Sequence, residues 1–435
     1  MTNNIRLITP AVLALFLAAA GAASPDSGFY LKDGDRVVFY GDSITDLRVY
    51  STFTETFAVT RFPSLNVTFT HSGWGGDRVG GGGGGKIDAR LERDVYAHKP
   101  TVVTVMLGMN DGGYRAFDQK LFDTYRDGIR HIADSVRKKL PGIRMTLIQP
   151  SAYDDVTRAP RFSGGYNGVL VRYGEAVKEI AAAAGQTTAD LNAPVVAMLQ
   201  KANAADAAIA AKLIPDRVHP GRAGGLVMAG ELLKAWGAPA LVSDVAIDAA
   251  GGRVASARNT VVSSLAVSGD GVTWAQLDGA LPMPIETNNP AATLAVDASG
   301  FNDALNRQIL RVTGLAAVDY ELKIDGKPAG RFTAAQLAGG INLATLPTPM
   351  AAQAAEVHNL TLQRTALHNI RWRNFQVPGE RATEDVRATL PGIVGELDAA
   401  VVAVTAAQRA AARPVLRHYA LRGSAAAQPG RGTQP

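Results

Sequence analysis

Between about residues 30 and 240, short apolar, β-branched runs alternate with stretches of helical periodicity. The runs are 36–40 (RVVFY), 66–71 (NVTFTH), 101–107 (TVVTVML), 144–149 (RMTLIQ) and a weaker 187–191 (TTADL). Helical spacing is read near 86–97, 116–140, 166–184, 191–212 and 222–236. Strands that alternate with helices predict a parallel sheet covered by helices, an α/β fold. VVTVML is apolar at nearly every position, as a strand buried on both faces must be.

The texture changes at about 241. From there to 345 short alternating segments are punctuated by turn dipeptides, Asp270-Gly271 and Asp325-Gly326. Each pair lies between apolar-alternating arms and predicts a β-hairpin, so 241–345 reads as a small antiparallel β-rich unit. Residues 346–422 are Ala-rich with helical spacing, interrupted near Pro378-Gly379 and Pro391-Gly392, and 423–435 reads as a disordered tail. At the other end, Arg6 precedes an apolar run over 7–20. Ala20-Gly21-Ala22, or Gly21-Ala22-Ala23 as a second choice, then offers a small-residue cleavage site. Residues 1–23 are expected to be a signal peptide, which places the protein outside the cytoplasm, periplasmic or secreted. No stretch beyond it is expected to span a membrane.

Composition narrows the chemistry. With 47% hydrophobic residues in 435, the chain can bury more than one core. The net charge of +5 comes from 44 basic and 39 acidic residues without long basic blocks, and does not point to nucleic acid. The absence of cysteine removes disulfides, thiolate metal sites and thiol nucleophiles. Oxygen and nitrogen groups must therefore do the work.

Four segments place such groups after strands or in a late loop. Gly41-Asp42-Ser43-Ile44-Thr45 follows the first strand, where open α/β sheets bind ligands. Ser43 there also opens a helix whose free N–H groups favour developing negative charge, although Ser or Asp would cap that helix equally well. A second segment, 71–78 (HSGWGGDR), brings glycines that allow close backbone approach. Gly108-Met109-Asn110-Asp111 ends the most apolar strand with an amide that needs a partner. Asp216-Arg217-Val218-His219 sets a carboxylate three residues before an imidazole, close enough to bond one ring nitrogen and leave the other free as a base. Of the seven histidines, His219 alone has an acidic residue three positions earlier.

In this order the blocks GDSIT, a glycine loop, GMND and DRVH resemble those of the SGNH or GDSL hydrolase family, over roughly residues 30–240 of a domain expected to span 24–240. The resemblance implies a flavodoxin-like three-layer α/β/α domain and an esterase that works through an acyl-serine intermediate. It implies Ser43 as nucleophile, His219 as base, Asp216 as its orienting partner, and an oxyanion hole of Ser43 N–H, Gly76 N–H and the Asn110 side chain. Gly76 is preferred over Gly75 or Gly73 by aligning GGDR with the family's Gly-Asp/Asn step. No cofactor and no metal is implied. Such a site supplies what acyl transfer needs: an activated hydroxyl, a base with its orienter, and three preorganised donors.

Trp74, Arg78, Tyr114 and Tyr153, in strand-end loops, are candidates for contacting substrate, with loop packing as the competing reading. The expected substrate is a small-molecule or glycan ester, with a leaning to acetyl groups on carbohydrate. A lysophospholipase or thioesterase is the alternative within the same chemistry, and a non-catalytic periplasmic glycan-binding protein the alternative outside it. The run Gly80 to Gly85 followed by Lys86 matches GxxxxGK only formally. Ile87 stands where a Mg²⁺-binding hydroxyl belongs and no strand leads in, so a lid, a lip or a plain linker is expected instead of a phosphate loop. Arg371-Trp372-Arg373 reads as a partly packed helix end rather than a nucleic-acid stacking patch.

Overall fold

The computed structural model describes residues 28–269 and 271–423. The expected signal peptide and nearly all of the expected tail lie outside the described residues, as does Asp270 in one predicted hairpin.

Five parallel strands form the first sheet: β1 (Arg36–Gly41), β2 (Thr68–Gly73), β3 (Val102–Met106), β4 (Arg144–Ile148) and β5 (Thr187–Ala189). Their spatial order is β2-β1-β3-β4-β5, the flavodoxin-like order. From β1 the chain goes to one side of the sheet to make β2 and then to the other side to make β3. The carboxyl ends of β1 and β3 therefore part at a switch point, leaving a crevice. β1 and β3 are buried along almost their whole length, which their apolar sequences require.

The helix α2 (Val49–Arg61), after the single turn α1 (Ser43–Asp46), has no counterpart in the periodicity. Its sequence VYSTFTETFAVTR has no polar face because residues Tyr50 to Arg61 are all buried. The hydroxyls of Thr52, Thr54, Thr56 and Thr60 each donate to a carbonyl one turn earlier, which satisfies them without solvent.

The second half is less separate than its sequence texture suggests. Leu241–Asp248 and Arg307–Thr313 run parallel in a four-stranded sheet, so the unit read as antiparallel contains a crossover, made through the Pro290–Ser299 helix. The other sheet is antiparallel. The expected hairpin at Asp325-Gly326 is present, with φ of 50° and 75° at the two residues, the left-handed pair that a tight two-residue turn requires. Thr260–Ser268 and Gly271–Asp278 are paired antiparallel as expected.

Two further expectations are corrected. Residues Arg417–Gly423, read as the end of the helical region and, at Gly423, the start of the tail, form a strand between Gly271–Asp278 and Asp319–Ile324. The chain thus leaves the β-rich unit, builds two long helices, and returns to complete its sheet. Alternation over so short a segment was masked by the Ala-rich sequence before it. Pro391 does not interrupt the helix Glu384–Ala411 but lies inside it. That stretch is largely solvent-exposed, so the carbonyl deprived of its donor can be served by water. By length and composition this continuous helix is apolar enough to cross a membrane, contrary to the expectation from the broken pattern. In the fold it is tied to the rest of the chain: Asp398 pairs with Arg371, and Gln408 bonds to Glu55.

The two long C-terminal helices cover the edge of the parallel sheet. Arg364 on the Pro349–Asn369 helix donates to the Phe69 carbonyl of β2, and Arg409 donates to the carbonyls of Leu65 and Val67. These guanidinium groups occupy backbone acceptors that an open edge would otherwise present. Beneath them Glu55 of α2, 1% exposed, is held by Arg364, Gln408 and His71. Burial works against its ionisation, but Arg364 and His71 outweigh that and hold its carboxyl down at about 2.

Candidate active site

The crevice at the switch point collects the expected residues from separate loops. Gly41 ends β1 where a side chain would collide with Thr45 and with the Met106 carbonyl of β3. Asp42 then caps α1 by accepting from the Ile44 N–H at 3.0 Å, which leaves Ser43 as the first helical residue. Asp42 is buried, and its carboxyl is pushed up to about 7, with Asp111 and Asp77 nearby adding to the effect of burial.

Asp216 uses both of its oxygens. One accepts from the backbone N–H groups of Val218 (3.0 Å) and His219 (2.7 Å), closing the turn. The other accepts from His219 Nδ1 at 2.6 Å. Although partial burial disfavours its charge, these bonds hold the Asp216 carboxyl below the usual carboxylate range. With Nδ1 carrying a proton, Nε2 is left as acceptor, and the Ser43 hydroxyl donates to it at 2.8 Å. Ser43, His219 and Asp216, the first and last separated by 173 residues of sequence, form one hydrogen-bonded line.

Among the described residues, the N–H groups of Ser43 and Gly76 donate to no protein acceptor. Asn110 stands on the loop after β3. Its Nδ2 donates one hydrogen to the Asp77 carbonyl at 3.0 Å, which leaves the second available. Its Oδ1 accepts from the Tyr114 hydroxyl at 3.0 Å. Tyr114, expected as a substrate contact, thus orients the amide of Asn110. The loop that carries Gly76 is fixed from below: Asp77 accepts from Arg90 at 2.8 Å, Arg90 also pairs with Asp94, and Asp94 accepts from Trp372 Nε1 at 2.7 Å.

The other expected contacts lie elsewhere. Tyr153 is buried in an aromatic cluster with Tyr166 and Tyr114. Trp74 lies under Arg373, whose guanidinium is 3.5 Å from the ring centroid. Arg78 is exposed, near Asp111. The run Gly80 to Gly85 folds as a compact hairpin, Gly81–Gly82 against Gly85–Lys86, packed on Trp74 and tied by Arg93 to the Gly84 carbonyl. It is neither a phosphate loop nor an open linker.

The cavity beside Ser43, of about 740 Å³, is lined by Ser43, Asp46, Leu47, Arg48, Asp216, His219, Asn369, Arg373 and Asn374. None of the four loop candidates is among them. Three of these residues come from the C-terminal half, from the π-helical turn Ile370–Gln376 and the residue before it. The sequence signal was present in Arg371-Trp372-Arg373 but showed only a packed helix end. Trp372 is indeed buried, and its packing turns Arg373 towards the cavity. A second cavity of about 520 Å³, between β2 and the C-terminal helices, holds buried charge but no hydroxyl–imidazole pair.

Residues 39–225, which contain every member of this constellation, match the model of the GDSL-like lipase/acylhydrolase family. Residues 39–225 form a GDSL-type acylhydrolase domain. The protein is accordingly a serine hydrolase that acts on esters. An acetylxylan esterase of Geobacillus stearothermophilus is 26% identical over 232 residues, 48% of this chain and 96% of that protein. The solved structure of BT4096, a gut microbial diltiazem-metabolizing enzyme, is similar over 93% of this chain and 100% of its own, with TM-score 0.74 and 26% identity. The GDSL-type likeness to the acetylxylan esterase covers about half of this chain, whereas the likeness to BT4096 takes in the C-terminal half as well.

Proposed function

We propose that the GDSL-type acylhydrolase hydrolyses short acyl esters, acetyl groups on carbohydrate foremost, with Ser43 as nucleophile. The observation that carries this reading is the position of His219, 2.8 Å from the Ser43 hydroxyl and 2.6 Å from Asp216. Ser43 Oγ attacks the ester carbonyl as its proton passes to His219 Nε2, and Asp216 stabilises the imidazolium. The oxyanion that forms takes hydrogen bonds from Ser43 N–H, Gly76 N–H and Asn110 Nδ2. His219 then returns the proton to the departing alcohol oxygen. In the second half it removes a proton from water, whose oxygen attacks the acyl carbon; the acyl–Oγ bond then breaks, His219 gives the proton to Ser43 Oγ, and the acid leaves.

The leaning to acetyl-carbohydrate rests on the likeness to an acetylxylan esterase and on a cavity lined by arginine, asparagine and acidic side chains, with Leu47 its one apolar wall. An acyl-length series of 4-nitrophenyl esters beside acetylated xylo-oligosaccharides tests it: activity is expected to fall from acetate to octanoate, and the opposite trend refutes it. Export is part of the same proposal, supported by the N-terminal apolar run. N-terminal sequencing of the protein recovered from its native cell is expected to begin near Ala23 or Ser24.

A further inference from the structure

Arginines in this fold are mostly spent on protein acceptors. Arg61 donates to three carbonyls, of Pro239, Leu241 and Leu305. Arg90 serves Asp77, Asp94 and the Ser72 carbonyl, and Arg364 serves Glu55 and the Phe69 carbonyl. Two arginines on the cavity beside Ser43 are different. The guanidinium of Arg48 makes no hydrogen bond among the described residues and only an ionic contact with Asp46 at 3.7 Å. Arg373 makes one long bond, 3.4 Å, to the other oxygen of the same Asp46.

Both are held in place by features that packing alone does not require. Arg48 has φ of 60°, a left-handed conformation unfavourable for a side chain of this kind. It is kept there because its carbonyl accepts from both the N–H and the hydroxyl of Thr52 at the start of α2. Arg373 sits on a π-helical turn, a distortion that recurs at functional sites. Its guanidinium rests on the Trp74 ring, and the turn is anchored by Trp372 on Asp94.

The two guanidinium groups share one carboxylate. Of the two carboxylates on the cavity wall, Asp216 spends its oxygens on His219 and the Val218 N–H, so Asp46 alone faces both arginines. Most of their ten guanidinium N–H donors meet no protein acceptor among the described residues. Burial holds the proton affinity of Arg48 below its ordinary value, with Asp46 opposing that and Arg373 adding to it.

We propose that Arg48 and Arg373 form an anion subsite beside Ser43 that selects esters bearing a carboxylate on the alcohol portion. Guanidinium donors left without a protein acceptor fit the two oxygens of a carboxylate. Asn369 and Asn374, on the same wall, offer amide groups to neutral hydroxyls around it. The C-terminal half thereby sets which alcohol is recognised, while the GDSL-type domain carries out the acyl transfer. This inference rests on the esterase reading above and refines it.

The test compares 3- and 4-acetoxybenzoate with the corresponding acetoxybenzamides, which have the same shape without the charge, and includes 4-acetoxyphenyl phosphate. For the intact protein, kcat/KM on the better acetoxybenzoate is expected to exceed that on its amide by about tenfold or more, with the advantage in KM and reduced at 0.5 M NaCl. In Arg373→Met and Arg48→Met the benzoate-to-benzamide ratio falls towards one through a rise in KM for the benzoate. Arg373→Lys retains part of the preference. Circular dichroism melting confirms that each variant is folded, and either methionine variant alone suffices. Good turnover of the amides without preference for the carboxylate overturns the subsite and leaves the esterase standing. A stronger preference for the phosphate overturns the choice of carboxylate. No turnover of any acetyl ester overturns the esterase reading itself.

Discussion

The two halves of this chain contribute to one active site in different ways. In the GDSL-type domain the chemistry follows from local sequence: Ser43, Gly76 and Asn110 stand within a few residues of strand ends that the sheet order brings together, and Asp216 and His219 share one short loop just before a helix. In the C-terminal half nothing local announces a role. Its residues reach the site only because a helix covers β2 and a distorted turn then projects over the crevice. Reactive groups need a fixed arrangement that short motifs encode, whereas a cavity wall needs only suitable side chains at the right place. The first is readable in sequence and the second is a property of the fold.

That contrast can be broken at several points. The largest effect belongs to the motif half: Ser43→Ala is expected to lower kcat about 10⁴-fold or more in a steady-state assay with 4-nitrophenyl acetate, at an unchanged melting temperature. Next is the join between the halves. Arg364→Met leaves Glu55 buried without its main partner, and denaturant melts should show a loss of about 3–5 kcal/mol. If instead the protein unfolds in two separate transitions with the first half unaffected, the halves are independent and the contrast fails. Asn110→Ala removes one of the proposed oxyanion donors and is expected to cost about 10²–10³ in kcat with little change in KM. A change confined to KM would make Asn110 a binding group only.

The smallest effect concerns acid. His358, on the Pro349–Asn369 helix, is buried against α2, where it shares a 2.8 Å hydrogen bond with Thr56. Burial, reinforced by Arg222, lowers its imidazole from the ordinary 6.5 to about 4. The unfolded chain therefore binds a proton between these values that the folded chain does not, and stability falls as pH drops from about 6.5 to about 4. The loss is on the order of 2–3 kcal/mol at the acid end. Glu55, held down at about 2, adds a further loss below about 4.5, again in the same direction. Melting temperatures across pH 7 to 4 should show the decline, and His358→Asn should flatten it. An identical slope in the variant would assign the acid sensitivity elsewhere.

Much of this was legible in the amino-acid sequence, and the exceptions have physical causes. All five parallel strands carry apolar, β-branched runs; Ser43 and Asn110 stand in motifs whose positions the sheet explains, and Asp216 and His219 in a motif whose three-residue spacing pairs them locally. Helix α2 was not legible, because burial on every side removes the polar face that periodicity needs. The strand Arg417–Gly423 was hidden because its partners are about 95 and 145 residues earlier, on either side of it in the sheet. Trp74 and Tyr153 sit in strand-end loops, as expected of pocket residues, but face neighbours that only the fold supplies. Arg48 and Arg373 were equally invisible, since 324 residues of sequence lie between two side chains that share one carboxylate.

The most direct test is to trap the nucleophile. Incubation of the intact protein with a fluorophosphonate, followed by intact-mass and peptide mass spectrometry, is expected to yield one adduct per chain, on Ser43, with parallel loss of hydrolysis. Labelling at another hydroxyl, or full ester hydrolysis by Ser43→Ala, would contradict the assignment.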